Sequence, residues 1–141
     1  MDASEYMAIP DQGKRESVRQ DAAAILEEAR FAMAELMAAE AALLLLPYFA
    51  DVDKDRWLLE DDARPGEIEF RFHPAVDSHH GASADITMVW TRAGVVLWDV
   101  EDESEIEFEG PVTDFLAGAV EVSPSYFLTA GPDLYRYILP S

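Results

Sequence analysis

A run of about thirty residues with a helical hydrophobic period constrains the fold of this chain most. From Ser17 to about Leu46, apolar residues recur at alternating steps of four and three positions, which places them along one side of an α-helix. Ser17 is a candidate N-cap, and Pro47 should end or kink the helix because its ring clashes with the preceding turn. We expect one long helix here, or a pair with a break. The helix seam consists of Val18, Ala22, Ile25, Ala29, Ala32, Leu36, Ala39, Leu43 and Leu46.

The helix seam has two structural interpretations. Its four-three steps are the spacing of a coiled coil, which would make the N-terminal helix the interface of a homodimer. However, four of the seam residues are alanines, and the stripe is widened by Leu26, Met33, Met37 and Leu44. A broad stripe with small residues favours packing against the protein's own sheet, which we expect, with the homodimer as the alternative.

After Gly66 the hydrophobic period changes from helical to two, the period of a half-buried strand. Ile68, Phe70 and Phe72 share one face of the first predicted strand, and Ile86, Met88 and Trp90 share one face of the next. In the last predicted strand, Ile106 and Phe108 point inward. Val95 to Val100 adds a strand between the last two sets. Pro111 suits the first turn of a short helix over 112–120, and residues 134–139 favour a closing strand.

These patterns predict an α+β fold in which a long N-terminal helix, or helix pair, packs on an antiparallel β-meander, with a short C-terminal helix. Residues 1–16 are polar and aperiodic, which predicts a flexible tail, and residues 17–141 form a single domain.

The charge balance restricts the partners of this chain. It has 10 Lys plus Arg against 29 Asp plus Glu, a formal net charge of -19, yet 50% of its residues are hydrophobic, which favours a folded protein. Such a charge repels nucleic acid and anionic membranes and attracts basic proteins. The chain has no cysteine, its N-terminus is acidic, and its most apolar stretch contains Glu35 and Glu40, so we expect a cytoplasmic protein without a membrane span.

The densest charge lies in the acidic segment, Asp99–Glu109, where seven of eleven residues are carboxylates. On a strand, carboxylates at every second position are roughly 6.6 to 6.8 Å apart, close to the phosphate spacing of a nucleic-acid strand, so phosphate mimicry is one physical reading. A solubilising outer face is the other. Trp98 is either a binding anchor or a core residue. The predicted partner-binding residues are Trp98, Asp99, Glu101, Asp102, Glu103, Glu105, Glu107 and Glu109.

Other chemistry has weaker support in the sequence. The three histidines, His73, His79 and His80, lie with Asp77 on one loop, and such side chains can bind zinc, but the spacing matches no familiar metal motif. We find no nucleophile elbow or phosphate-binding loop, and we expect no cofactor and no enzymatic activity.

The leading hypothesis is therefore an acidic cytoplasmic protein that neutralises a basic protein partner, such as an immunity protein that inhibits a cognate toxin or effector, for example a nuclease. One alternative is a secretion-type chaperone that uses the helix seam from Ile25 to Leu46 as a dimer or client surface. The other is a small metal-binding protein or enzyme that uses His73, His79 and His80.

Overall fold

The fold was described from a computed structural model, which covers residues 1–49, 64–77, 81–101 and 106–140. The helices are α1 (Ala3–Met7), α2 (Gln12–Leu45) and α3 (Gly110–Val122). The strands are β1 (Pro65–His73), β2 (Ser83–Thr91), β3 (Val96–Asp99), β4 (Leu128–Gly131) and β5 (Leu134–Ile138). This order confirms the predicted α+β fold, with a long N-terminal helix, an antiparallel sheet and a short helix after the meander.

Helix α2 is continuous and begins five residues earlier than the sequence predicted. The side chain of Asp11 accepts a hydrogen bond from the Gly13 N–H, with Oδ1 and N 2.9 Å apart, so Asp11 is the N-cap and the prediction of Ser17 is wrong. The end of the helix was predicted correctly, because α2 stops at Leu45 and a 3₁₀ turn, Leu46–Phe49, contains Pro47.

The sheet has five antiparallel strands in the order β3-β2-β1-β5-β4. The first three strands form a meander, as predicted for residues 67–72, 85–91 and 95–100. The C-terminal hairpin of β4 and β5 then returns to the other side of β1, so that strands far apart in sequence pair at the centre of the sheet. The edges are β3 and β4, and the acidic segment follows directly from the β3 edge.

A β-bulge in β2 changes which side chains face the core. Glu69 lies opposite Met88 and Phe70 lies opposite Ile86, so Thr87 is the extra residue. The Thr87 hydroxyl donates to the Glu69 backbone carbonyl and side chain, at 3.2 and 2.8 Å. The predicted common face of Ile86, Met88 and Trp90 is therefore wrong. Ile86 and Val89 are buried, whereas Met88 and Trp90 are half-buried on the other face.

The two longer helices pack on one another beside the sheet. Helix α3 contacts β1 and β2, and α2 contacts α3. The buried residues of α2 are small apart from the last: Ala34, Ala38, Ala41, Ala42 and Leu45. Gly118 of α3 lies against Met37 so closely that a Cβ there would overlap the Met37 Cε atom. Small residues on both helices thus allow a close approach.

Aromatic rings fill the half of the core beneath β5. Phe127 packs edge-on against Phe70, with ring centroids 5.2 Å apart, and against Tyr137 at 5.8 Å. Burial raises the pKa of Tyr137 far above its ordinary value, and the nearby Tyr126 raises it further. The pKa of Tyr126 is also raised, chiefly by burial. Both hydroxyls are therefore neutral in the folded protein at ordinary pH.

Candidate protein-binding surfaces

The first end of the acidic segment is fixed to the edge of the sheet. Asp99 is the last residue of β3, and its carboxylate accepts a hydrogen bond from the Glu101 N–H, with Oδ1 and N 2.9 Å apart. The Val100 N–H donates to the Thr87 carbonyl at 3.0 Å. The Val100 bond holds the chain against β2 for one more residue. The Asp99 bond is typical of an Asx turn, after which Glu101 is exposed.

The second end of the segment is anchored by apolar side chains. Ile106 and Phe108 are partly buried and pack against the core, whereas Glu107 and Glu109 are exposed. The Phe108 ring lies edge-on to Tyr48 and to Trp98, with centroids 5.2 and 5.1 Å apart.

A hydrogen bond adds to this anchor, since the Glu109 N–H donates to the Tyr48 hydroxyl, with N and O 2.8 Å apart. The described carboxylates beyond Asp99 therefore project from a chain that the core holds at both ends.

The alternation predicted for this part of the segment is present, but the strand is not. Residues 106–109 pair with no strand of the described chain, although their side chains alternate between half-buried and exposed. The predicted strand over 105–109 is therefore wrong for the described residues, and the regular 6.6 Å spacing used to suggest phosphate mimicry does not apply to Glu107 and Glu109. Three of the predicted binding residues, Asp102, Glu103 and Glu105, lie outside the described part of the chain.

Trp98 is a core residue in this conformation. Only 8% of its surface is exposed, and its ring packs against Phe108. Within the described part of the chain, no acceptor lies within hydrogen-bond distance of its indole Nε1. Trp98 thus supports the acidic segment from beneath, which agrees with the core interpretation of this residue.

A second surface is the helix seam, which does not pack on the protein's own sheet as the sequence analysis expected. Ile25, Leu36 and Leu43 are 67, 66 and 63% exposed. At about 100° per residue, the buried Ala34, Ala38 and Leu45 project roughly 160 to 200° away from Leu36. Helix α2 therefore has two apolar faces, one against its own domain and one facing solvent. Sequence reasoning found the helix seam but missed the alanine face.

His73 is the last residue of β1 and does not lie on the predicted histidine loop. Its Nε2 atom lies 2.8 Å from Asp85 Oδ2 of β2, within hydrogen-bond distance, and both side chains are well exposed. His79 and His80 lie outside the described residues. In the parts of the chain that the structure covers, no three His, Cys, Asp or Glu side chains come together as a metal site would require. The metal-binding alternative stays a prediction.

The described helices include none with the length and apolar character needed to cross a bilayer. The chain matches no protein-family model, no curated protein and no solved structure. Functional inference therefore rests on the two surfaces described above: the anchored acidic segment and the helix seam.

Proposed function

We propose that this protein binds a basic protein partner and neutralises it through the acidic segment. The supporting observation is the anchoring of that segment at both ends. At the first end, the Asp99 carboxylate accepts from the Glu101 N–H directly after the edge strand β3. At the second end, Glu107 and Glu109 flank Phe108, which packs against Tyr48, and the Tyr48 hydroxyl accepts from the Glu109 N–H. Carboxylates held in place at the two ends of the segment lose less conformational entropy on binding than those of a free acidic tail.

The charge of the whole chain supports the same function. At a formal net charge of -19, the protein attracts a basic partner over a distance and accelerates the encounter, while it repels nucleic acid. Sites that process nucleic acid are basic because they bind phosphates. We therefore propose, more specifically, a cytoplasmic immunity protein without enzymatic activity that occludes the active site of a cognate toxin such as a nuclease.

The experiment is capture of the partner followed by charge reversal. The protein is immobilised, incubated with extract of its native cells and eluted with a salt gradient, and the retained protein is identified and purified. Its affinity is then measured for the wild type and for the variant Glu101→Lys/Glu107→Lys/Glu109→Lys. All three residues are exposed, so the fold should be retained.

A matched control reverses three exposed charges away from the acidic segment: Glu5→Lys, Glu16→Lys and Glu27→Lys. The net charge of both variants is the same. We expect the first variant to bind roughly 100-fold more weakly, mainly through a slower association rate, and the control to lose much less. We also expect the wild type to block the activity of the partner. Equal binding by the two variants would contradict the proposed role of the segment.

The exposed helix seam favours a second function, that of a secretion-type chaperone. Apolar side chains such as Ile25 and Leu43 can hold a partly unfolded client or form a homodimer. The discriminating measurement is suppression of aggregation of a reduced model protein, with Leu36→Asp as the variant. A chaperone suppresses aggregation and loses this activity in the variant, whereas an inhibitor of one folded partner has no such activity.

A further inference from the structure

We infer that the helix seam from Ile25 to Leu46 is a docking surface for a basic amphipathic helix of the partner. This inference deepens the proposed function and rests on it, because it names the structural element by which a basic partner would be held. The helix seam is distinct from the acidic segment. It is a row of exposed apolar side chains on the face of α2 opposite the one that packs against its own domain.

The seam face of α2 is open in the part of the chain that the structure describes. None of the 22 residues of α2 before Ala34, about 33 Å of helix, is buried. Phe31, which projects away from the helix seam, contacts the Tyr126 ring with centroids 5.1 Å apart. On the seam itself, Ile25 and Leu36 are 67 and 66% exposed. A row of exposed apolar side chains of this length is a candidate docking surface.

The charges beside the helix seam favour a basic occupant. Between Ile25 and Leu46 the helix carries four glutamates and one arginine, Arg30. Glu28 and Glu35 lie along one side of the seam, and Glu40 lies on the other, whereas Arg30 projects away from it. A partner helix with Lys or Arg beside its apolar stripe would meet a carboxylate on both sides.

The same charges disfavour a second copy of this chain. In a parallel pair, Glu35 would lie opposite Glu40 of the second copy, and the two chains repel each other strongly.

The test uses a synthetic peptide of about four heptads with leucine at the seam positions and lysine beside them, and a control peptide with glutamate instead of lysine. Binding is measured by fluorescence anisotropy at about 0.15 M salt. The protein variants are Ile25→Asp/Leu36→Asp and the control Ala23→Asp/Ala24→Asp, which adds the same charge to exposed positions on the other side of the helix.

We expect the basic peptide to bind the wild type and the control, and to bind the seam variant roughly 20-fold more weakly. Partial burial of each of the two apolar side chains is worth roughly four- to fivefold in affinity, and the two factors multiply. The added carboxylates would strengthen purely electrostatic binding, so the loss reports on apolar contact. The glutamate peptide should not bind.

Three results would overturn the inference. One is equal binding of the basic peptide by the seam variant and the control, which would leave the acidic segment and the proposed function intact. Another is dimerisation of the wild type at about 0.15 M salt that Ile25→Asp/Leu36→Asp abolishes, which would identify a second copy of the chain as the occupant. The last is equally tight binding of a reduced, unfolded protein, which would identify a chaperone surface. If the charge-reversed acidic segment also leaves partner binding unchanged, the proposed function itself fails.

Discussion

Replacing Phe108 by alanine should release the second end of the acidic segment while the domain stays folded. The Phe108 ring contacts three aromatic rings, those of Tyr48, Phe49 and Trp98, at centroid distances of 5.2, 6.2 and 5.1 Å. A fully buried Phe→Ala change costs about 3 to 5 kcal/mol, and because Phe108 is only partly buried we expect a loss of about 2 to 3 kcal/mol in the free energy of unfolding. Domains are typically stable by about 5 to 15 kcal/mol, so the folded state survives.

The assay combines urea unfolding with hydrogen exchange. The amide of Glu109, which donates to the Tyr48 hydroxyl, should lose protection in the variant. The affinity for the basic partner should fall roughly tenfold, because the released segment must be ordered again on binding.

The control for Phe108→Ala is Tyr135→Ala, another half-buried aromatic, which contacts the rings of Phe70 and Phe127 beneath β5, away from the acidic segment. It should lose comparable stability without exposing the Glu109 amide or weakening partner binding. The reasoning is wrong if Phe108→Ala costs less than about 1 kcal/mol, or if exchange at 106–109 is unchanged while the control shows its expected loss.

Three further changes test the fold. A Cβ on Gly66 would lie 2.6 Å from the Arg92 backbone nitrogen, so Gly66→Ala should lower the midpoint of urea unfolding by the equivalent of about 2 kcal/mol or more, and an unchanged midpoint would contradict this close approach. Burial raises the pKa of Tyr137, so as the pH rises the unfolded chain loses the hydroxyl proton before the folded protein does. The free energy of unfolding should therefore fall above about pH 10, by up to about 1.4 kcal/mol per pH unit, and Tyr137→Phe should reduce this fall. The Arg136 guanidinium lies 4.9 Å from the Trp90 ring centroid, so Arg136→Ala should cost about 0.5 to 1 kcal/mol and change the Trp90 fluorescence, whereas Arg136→Lys should retain part of both.

The features that the sequence predicted correctly depend on local chemistry. Pro47 ends α2 because proline cannot continue a helix, and Pro111 occupies the first turn of α3. Alternation of apolar and polar residues identified β1 and the half-buried Phe108. Each of these signals involves residues a few positions apart, so the sequence contains them directly.

The features that it missed depend on contacts between distant segments. The bulge at Thr87 is fixed by hydrogen bonds from its hydroxyl to Glu69 of the neighbouring strand. Residues 106–109 alternate without forming a strand because no described strand pairs with them. The face of α2 that packs inward was also not predictable from hydrophobicity alone. Alanine lines both faces, and which of them is buried is decided by contacts with α3, such as that of Met37 with Gly118.

The carboxylates beside the helix seam explain how this chain can expose such an apolar surface at all. Like charges on two copies oppose self-association, whereas the same charges attract a basic helix. Salt should therefore act on the two processes in opposite directions. At about 1 M salt the screening length falls to roughly 3 Å, so the affinity for the basic peptide should decrease while the wild type begins to self-associate. Sedimentation at low and high salt measures the self-association of the protein, and the variant Ile25→Asp/Leu36→Asp should stay monomeric at both salt concentrations. Self-association that is independent of salt would show that the carboxylates beside the helix seam do not prevent two copies from binding each other.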